Sequence, residues 1–136
     1  MGMSISKEIY KSTVRVESDT PGGISVGTAF WFCFRVDGGE KIFPLLVTNK
    51  HVVNSAKEVR LRLNINNKAN PEVKFHNLTI PAGENAFIMH PDEHVDICVL
   101  PIGGWLNEME KSGIRPEIFF FSDGQMLGEN YITPVE

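Results

Sequence analysis

His51 and Asp96 are the residues of this chain whose types and settings could do proton-transfer chemistry together. His51 follows the apolar run Phe43-Pro44-Leu45-Leu46-Val47 through Thr48-Asn49-Lys50, and Asp96 opens a second run, Ile97-Cys98-Val99-Leu100-Pro101-Ile102. A serine hydroxyl is a poor nucleophile until an imidazole accepts its proton, and a carboxylate can fix that imidazole's tautomer and stabilise its cation. Several strands fit between positions 51 and 96, so a rolled sheet can bring both side chains to one rim. Taken alone, Asp96 reads as a strand-end cap or turn residue, since Asp readily bonds nearby backbone. A carboxylate ahead of a buried strand still needs a partner, and His51 is the best available.

The serines after His51 are Ser55, Ser112 and Ser122, and none lies in a Gly-x-Ser-Gly segment. Ser122, in Phe121-Ser122-Asp123-Gly124, follows a predicted strand and begins a turn, for which Ser-Asp-Gly is ordinary chemistry. No nucleophile is therefore assigned within these residues. His90-Pro91-Asp92-Glu93-His94 matches H-x-x-E-H, an inverted zinc-peptidase pattern that needs a helix to align both imidazoles. Pro91 falls inside it and a strand is expected from Val95, so the segment reads as a solvated turn with two surface histidines. His76 reads as a surface or barrel-rim residue, and no metal or cofactor is expected. Cys33 and Cys98, each in an apolar run, read as small buried hydrophobes rather than a disulfide framework, which suits a reducing, cytoplasmic setting.

Any such pair has to be positioned by one modest core. The 136 residues are 42% hydrophobic and 22% charged, the make-up of one globular domain rather than a disordered or collagen-like chain. Thirteen basic against seventeen acidic side chains leave a net charge of −4, so no basic field is available to hold nucleic acid. No apolar run approaches the roughly 20 residues of a transmembrane helix, and no membrane span is expected. The N-terminus lacks the basic and apolar segments of a secretory signal. Gly2 with Ser6 fits the short myristoylation pattern, but the bland reading of an ordinary chain start is preferred.

Short β-type runs broken by turn clusters every roughly 8 to 12 residues predict an all-β barrel or sandwich. Strands are expected over residues 9–16, 26–36, 42–48, 59–65, 73–80, 86–90 and 95–102, with one helical turn between 49 and 56. Residues 26–36 are apolar on both faces, with Phe30, Phe32 and Phe34 opposite Ala29, Trp31 and Cys33, which marks a central strand. Residues 59–65 alternate as a strand with one wet face does. Trp105, Leu106, Met109 and more loosely Ile114 share one face of a short helix, and Phe119-Phe120-Phe121 reads as a further strand.

Three segments, taken together, resemble the first half of a trypsin-like (chymotrypsin-fold) serine peptidase, over roughly residues 5–102. Ser25-Val26-Gly27-Thr28-Ala29-Phe30-Trp31-Phe32 is similar to the strand that precedes the family's histidine, with a glycine that allows close backbone approach. Leu45-Leu46-Val47-Thr48-Asn49-Lys50-His51-Val52-Val53 resembles the strand and helical turn that carry that histidine, and Val95-Asp96-Ile97-Cys98-Val99-Leu100 resembles the segment of its aspartate. The resemblance implies an antiparallel six- to seven-stranded Greek-key barrel over residues 1–102, with His51 as general base and Asp96 as its orienter. It implies that residues 103–136 hold a connector helix and the start of a second barrel. The family's nucleophile segment does not occur here, so this lobe alone should not hydrolyse peptide bonds. A polypeptide substrate, the second barrel of the same parent chain, and self-association through the face left bare are the partners implied. The competing expectation is a non-catalytic binding or scaffold module of the same fold, grasping peptides at a sheet edge.

Overall fold

The computed structural model describes residues 12–36, 41–83, 86–122 and 126–127. The Gly2–Ser6 pattern and the start of the expected first strand lie outside them. Strand β1 (Thr13–Thr20) alternates, with Val14, Val16 and Ser18 buried and Arg15 exposed between them. It turns through Pro21 and Gly22 into β2 (Gly23–Val36), with Thr20 opposite Gly23 and the Thr20 hydroxyl donating to the Gly23 carbonyl at 2.8 Å. Gly23 takes a φ of +122°, which only glycine adopts readily. The first strand thus ends later than expected and the second begins earlier, because Asp19 and Thr20, turn formers by composition, pair across the hairpin instead.

The long β2 pairs with β1 through its first part and with β3 (Lys41–Thr48) through its second, Phe30 lying opposite Val47 and Phe34 opposite Phe43. A four-residue helix, α1 (Lys50–Val53), follows directly. β4 (Glu58–Asn67) then returns to lie beside β1 and pairs with β5 (Phe75–Pro81). The spatial order β4-β1-β2-β3 is a Greek key. On the far side of β3 lie β7 (Cys98–Pro101) and the two-residue β6 (Ile88–Met89).

The all-β, mostly antiparallel architecture agrees with the sequence reading, but the barrel is not closed by a ladder among the described residues. The hydrogen-bonded path runs β5-β4-β1-β2-β3-β7-β6 and has two ends. β6 is too short to reach across, and β5 finishes at Pro81, which has no N–H to give a ladder. Strand β7 also starts at Cys98 rather than Val95, leaving Asp96 in a loop.

A single buried cluster holds the two sides of the sheet together. Trp31, Leu46, Leu61, Ile80 and Ile102 are its large members, and Trp31 meets Phe120 edge to face at 6.2 Å. Helix α2 (Gly103–Lys111) contributes Leu106 and Met109 to the same cluster, as expected of its apolar face, and is followed by β8 (Ile114–Pro116) on β4. β9 (Phe120–Ser122) lies parallel to β2 at Phe32 and Cys33, and pairs with β10 (Met126–Leu127). No helix of the described residues is long and apolar enough to cross a membrane.

One core atom is badly served: the Ser18 hydroxyl is fully buried and has no hydrogen-bond partner among the described residues. A buried polar atom left unpaired costs more than an apolar one in its place. Ser18→Ala is therefore expected to raise stability by about 1 kcal/mol. Urea denaturation checks this, as a higher midpoint with an unchanged slope; an equal or lower midpoint contradicts it.

Candidate active site

Thr48 closes β3 with its side chain buried, and its hydroxyl donates to the Thr28 carbonyl on β2 at 3.1 Å. That bond fixes the point at which the chain leaves the sheet and enters α1. The helix is anchored by Val52 and Val53, both buried, while His51 turns outward. Gly27 of β2 lies directly beneath: a Cβ there would sit 2.4 Å from Val52 Cγ2 and 3.1 Å from Cγ1. The close approach expected of this glycine is made, and it is made to the turn that carries His51.

The His51 ring and the Asp96 carboxylate meet. Nδ1 of His51 bonds Oδ2 of Asp96, and the backbone N–H of His51 donates to Oδ1 at 3.0 Å. Because a carboxylate only accepts, the hydrogen sits on Nδ1, which leaves the Nε2 lone pair free to take a proton. No described residue bonds Nε2, and the ring is 70% exposed, so the basic nitrogen faces solvent. Both oxygens of Asp96 are thus engaged by one residue, and this fixes the rotation of the carboxylate as well as its distance.

The hydrogen bond from the His51 ring holds the Asp96 carboxyl below its usual range. Partial desolvation works against that effect, and the His51 and Lys50 amides reinforce it. A folded value below the unfolded one stabilises the fold at pH values above the usual carboxylate range, about 3.9. That contribution disappears as pH falls through the lowered folded value. The urea-midpoint gap between the natural protein and Asp96→Asn should therefore close in the acid range as the carboxylate takes up its proton; a gap that persists unchanged to the lowest pH at which the protein folds contradicts the pairing.

Two residues that the sequence reading did not single out hold this pair in place. Asn49 Nδ2 donates to the Asp96 carbonyl at 2.8 Å, and Lys50 Nζ donates to the carbonyls of His90 at 2.9 Å and Asp92 at 3.1 Å. Their neighbourhood to His51 is visible in the sequence, but carbonyl partners some forty positions away leave no trace in side-chain patterns.

The H-x-x-E-H segment is a turn. Asp92 N–H donates to His90 Nδ1 at 3.0 Å, and Asp92 Oδ1 accepts from the His94 N–H at 2.9 Å. Among the described residues no group of three His, Cys, Asp or Glu side chains could hold a metal. His76 is half-buried in β5 opposite Leu63. Ser55 stands exposed just past α1 in the left-handed region (φ 60°), and the Ser112 hydroxyl bonds back to the Glu108 carbonyl at 3.2 Å. Ser122 ends β9, and its side chain lies outside the described residues.

Cys98, two residues beyond Asp96, is not a nucleophile candidate. Burial pushes its thiol up to about 11, the Asp96 charge adds to this, and Lys50 opposes it. At pH 8 its thiolate fraction should be about a hundredfold below that of an ordinary cysteine. Reaction with Ellman's reagent is expected to be slow in the native protein and fast in urea; rapid labelling of native Cys98 contradicts this.

Comparison with known proteins returns no matching family model, no matching curated protein and no matching solved structure.

Proposed function

We propose that this chain is the N-terminal lobe of a trypsin-like serine endopeptidase, with His51 as general base and Asp96 as its orienting acid. The observation that carries the reading is the two-point grip of His51 on Asp96, through Nδ1 and the backbone N–H, with Nε2 left open to solvent. In this reading Nε2 takes the proton of a serine hydroxyl as its oxygen bonds the scissile carbonyl carbon, and Asp96 stabilises the imidazolium so formed. The same proton then passes to the leaving amine, and a water molecule repeats the sequence on the acyl-enzyme.

None of the 136 residues forms a Gly-x-Ser-Gly segment, so the hydroxyl and the oxyanion donors come from a second lobe. The outer face of β2 and β3 supports such a docking. Phe34 and Phe43, cross-strand partners, are 49% and 42% exposed, Phe32 meets Phe34 edge to face at 5.1 Å, and Phe30, further along the same face of β2, meets Phe121 of β9 edge to face at 6.0 Å. Exposed aromatics in one patch mark an interaction surface. A polypeptide substrate would lie between the lobes.

The test is labelling of the polypeptide translated from the full reading frame with a fluorophosphonate probe, which reacts with an activated serine. Labelling that is lost in His51→Ala supports the endopeptidase. Absence of labelling under every activation condition tried sinks it in favour of a binding module.

A further inference from the structure

We propose that Lys50 is a positioning residue for Asp96, holding the loop that carries the carboxylate at the distance at which it selects the His51 tautomer; this rests on the reading of His51 and Asp96 as a base and its orienter. The loop needs such a holder. Residues 90–97 are the tip between β6 and β7, outside both strands, and they are exposed from His90 to His94. The loop's own bonds are local: His90 N–H to the Ile97 carbonyl at 3.0 Å, Val95 N–H to the Asp92 carbonyl at 3.0 Å, and the Asp92 contacts with His90 and His94. These shape the turn but do not attach it to α1.

The attachment comes from Asn49, Lys50 and His51, three consecutive residues. Asn49 holds the Asp96 carbonyl and His51 holds both carboxylate oxygens. Lys50 alone reaches the far side of the loop, with Nζ bridging the carbonyls of His90 and Asp92. An ammonium with three donors on a flexible stem suits two carbonyls that diverge, and hydrogen bonds from a charged donor are the stronger kind. Asp92 lies at the centre of the arrangement: its carbonyl takes bonds from both Lys50 Nζ and Val95 N–H, and its carboxylate takes the His94 N–H. Pulling on that one residue fixes both limbs of the loop, and Asp96 sits at the end of one of them.

A residue that only stabilised the fold would slow exchange everywhere and would not alter a tautomer. Lys50→Met keeps the stem and removes the donor. In this variant, ring nitrogen-15 spectra of neutral His51 should move from the Nδ1–H form toward the mixture of a free imidazole. The His51 amide, freed from a steady Oδ1, should exchange about tenfold faster, while the amides of the β1–β4 ladder are unchanged. Lys50→Arg, which restores charged donors to the same carbonyls, should recover most of both effects. If Lys50→Met does not fold, Lys50→Gln, too short to bridge both carbonyls, is measured in its place.

Asp96→Asn is the reference. A tautomer change in Asp96→Asn with none in the Lys50 variant overturns the positioning role and leaves the pairing intact. No change in Asp96→Asn removes the pairing itself, and the role of Lys50 with it.

Discussion

Replacing Asp96 by Asn is expected to leave the fold in place and reverse the proton on His51. The reversal follows from the backbone bond to Oδ1. The N–H of His51 can only donate, so it will hold whichever end of the new amide can accept, which is the carbonyl oxygen. The NH₂ group is then forced to the position of Oδ2, facing Nδ1. Two donors cannot meet, so Nδ1 gives up its hydrogen and accepts, and the hydrogen moves to Nε2. The nitrogen that should receive a hydroxyl proton is then already occupied. If the chain acts as the proposed endopeptidase lobe, kcat of the two-lobed protein should fall by about 10⁴-fold, the scale known for a triad whose imidazole is held in the wrong tautomer. In the lobe alone, ring nitrogen-15 shifts of neutral His51 should report Nε2–H in place of Nδ1–H. An unchanged tautomer would remove the chemical basis of the proposed function, whatever the activity.

This contact was legible in the sequence through the resemblance of the segments around His51 and Asp96 to those of trypsin-like peptidases; the apolar runs beside them mark where strands stop but do not by themselves pair the two residues. Gly27 was legible for a separate reason: a glycine inside an aromatic strand such as Phe30-Trp31-Phe32 has no packing value unless something lies close above it. The elements that decided strand boundaries were harder to see. Asp19 looks like the start of a turn, yet Arg60 of β4 reaches it with both guanidinium nitrogens at 2.7 and 3.1 Å, and this cross-strand pair keeps it in β1. Val95 and Ile97 look like strand residues, yet the 90–96 stretch is drawn toward α1 by Lys50 and Asn49 before it can join the ladder. In both cases a side chain from a distant segment overrides a local preference, and local patterns hold no record of that partner. Barrel closure was illegible on the same grounds, since it depends on the lengths of β5 and β6 relative to each other.

Gly27→Ala should be the most damaging single-methyl change near the site. The added carbon would lie 2.4 Å from Val52 Cγ2, well inside contact distance, and the obstacle is not the free end of a long side chain. Val52 is β-branched and held in one rotamer on a helix, and it is buried with 1% exposure, so it cannot rotate away. Either β2 or α1 must move. At Gly27 β2 is laddered to β1, opposite Val16, and three residues on, at Phe30, its ladder to β3 begins, whereas α1 is a single turn of four residues. The helix should therefore give way, at a cost of about 1–3 kcal/mol, the range for overfilling a packed core. His51 is adjacent to Val52, so its amide leaves Oδ1 of Asp96 in the same movement. Val52→Ala alone should also destabilise, by leaving a cavity. In the double variant the new methyl occupies the space the valine vacated, so the two losses should sum to less than their separate values by about 1 kcal/mol or more. Urea denaturation of the four proteins measures this coupling, and strictly additive losses would mean that Gly27 is not held by Val52.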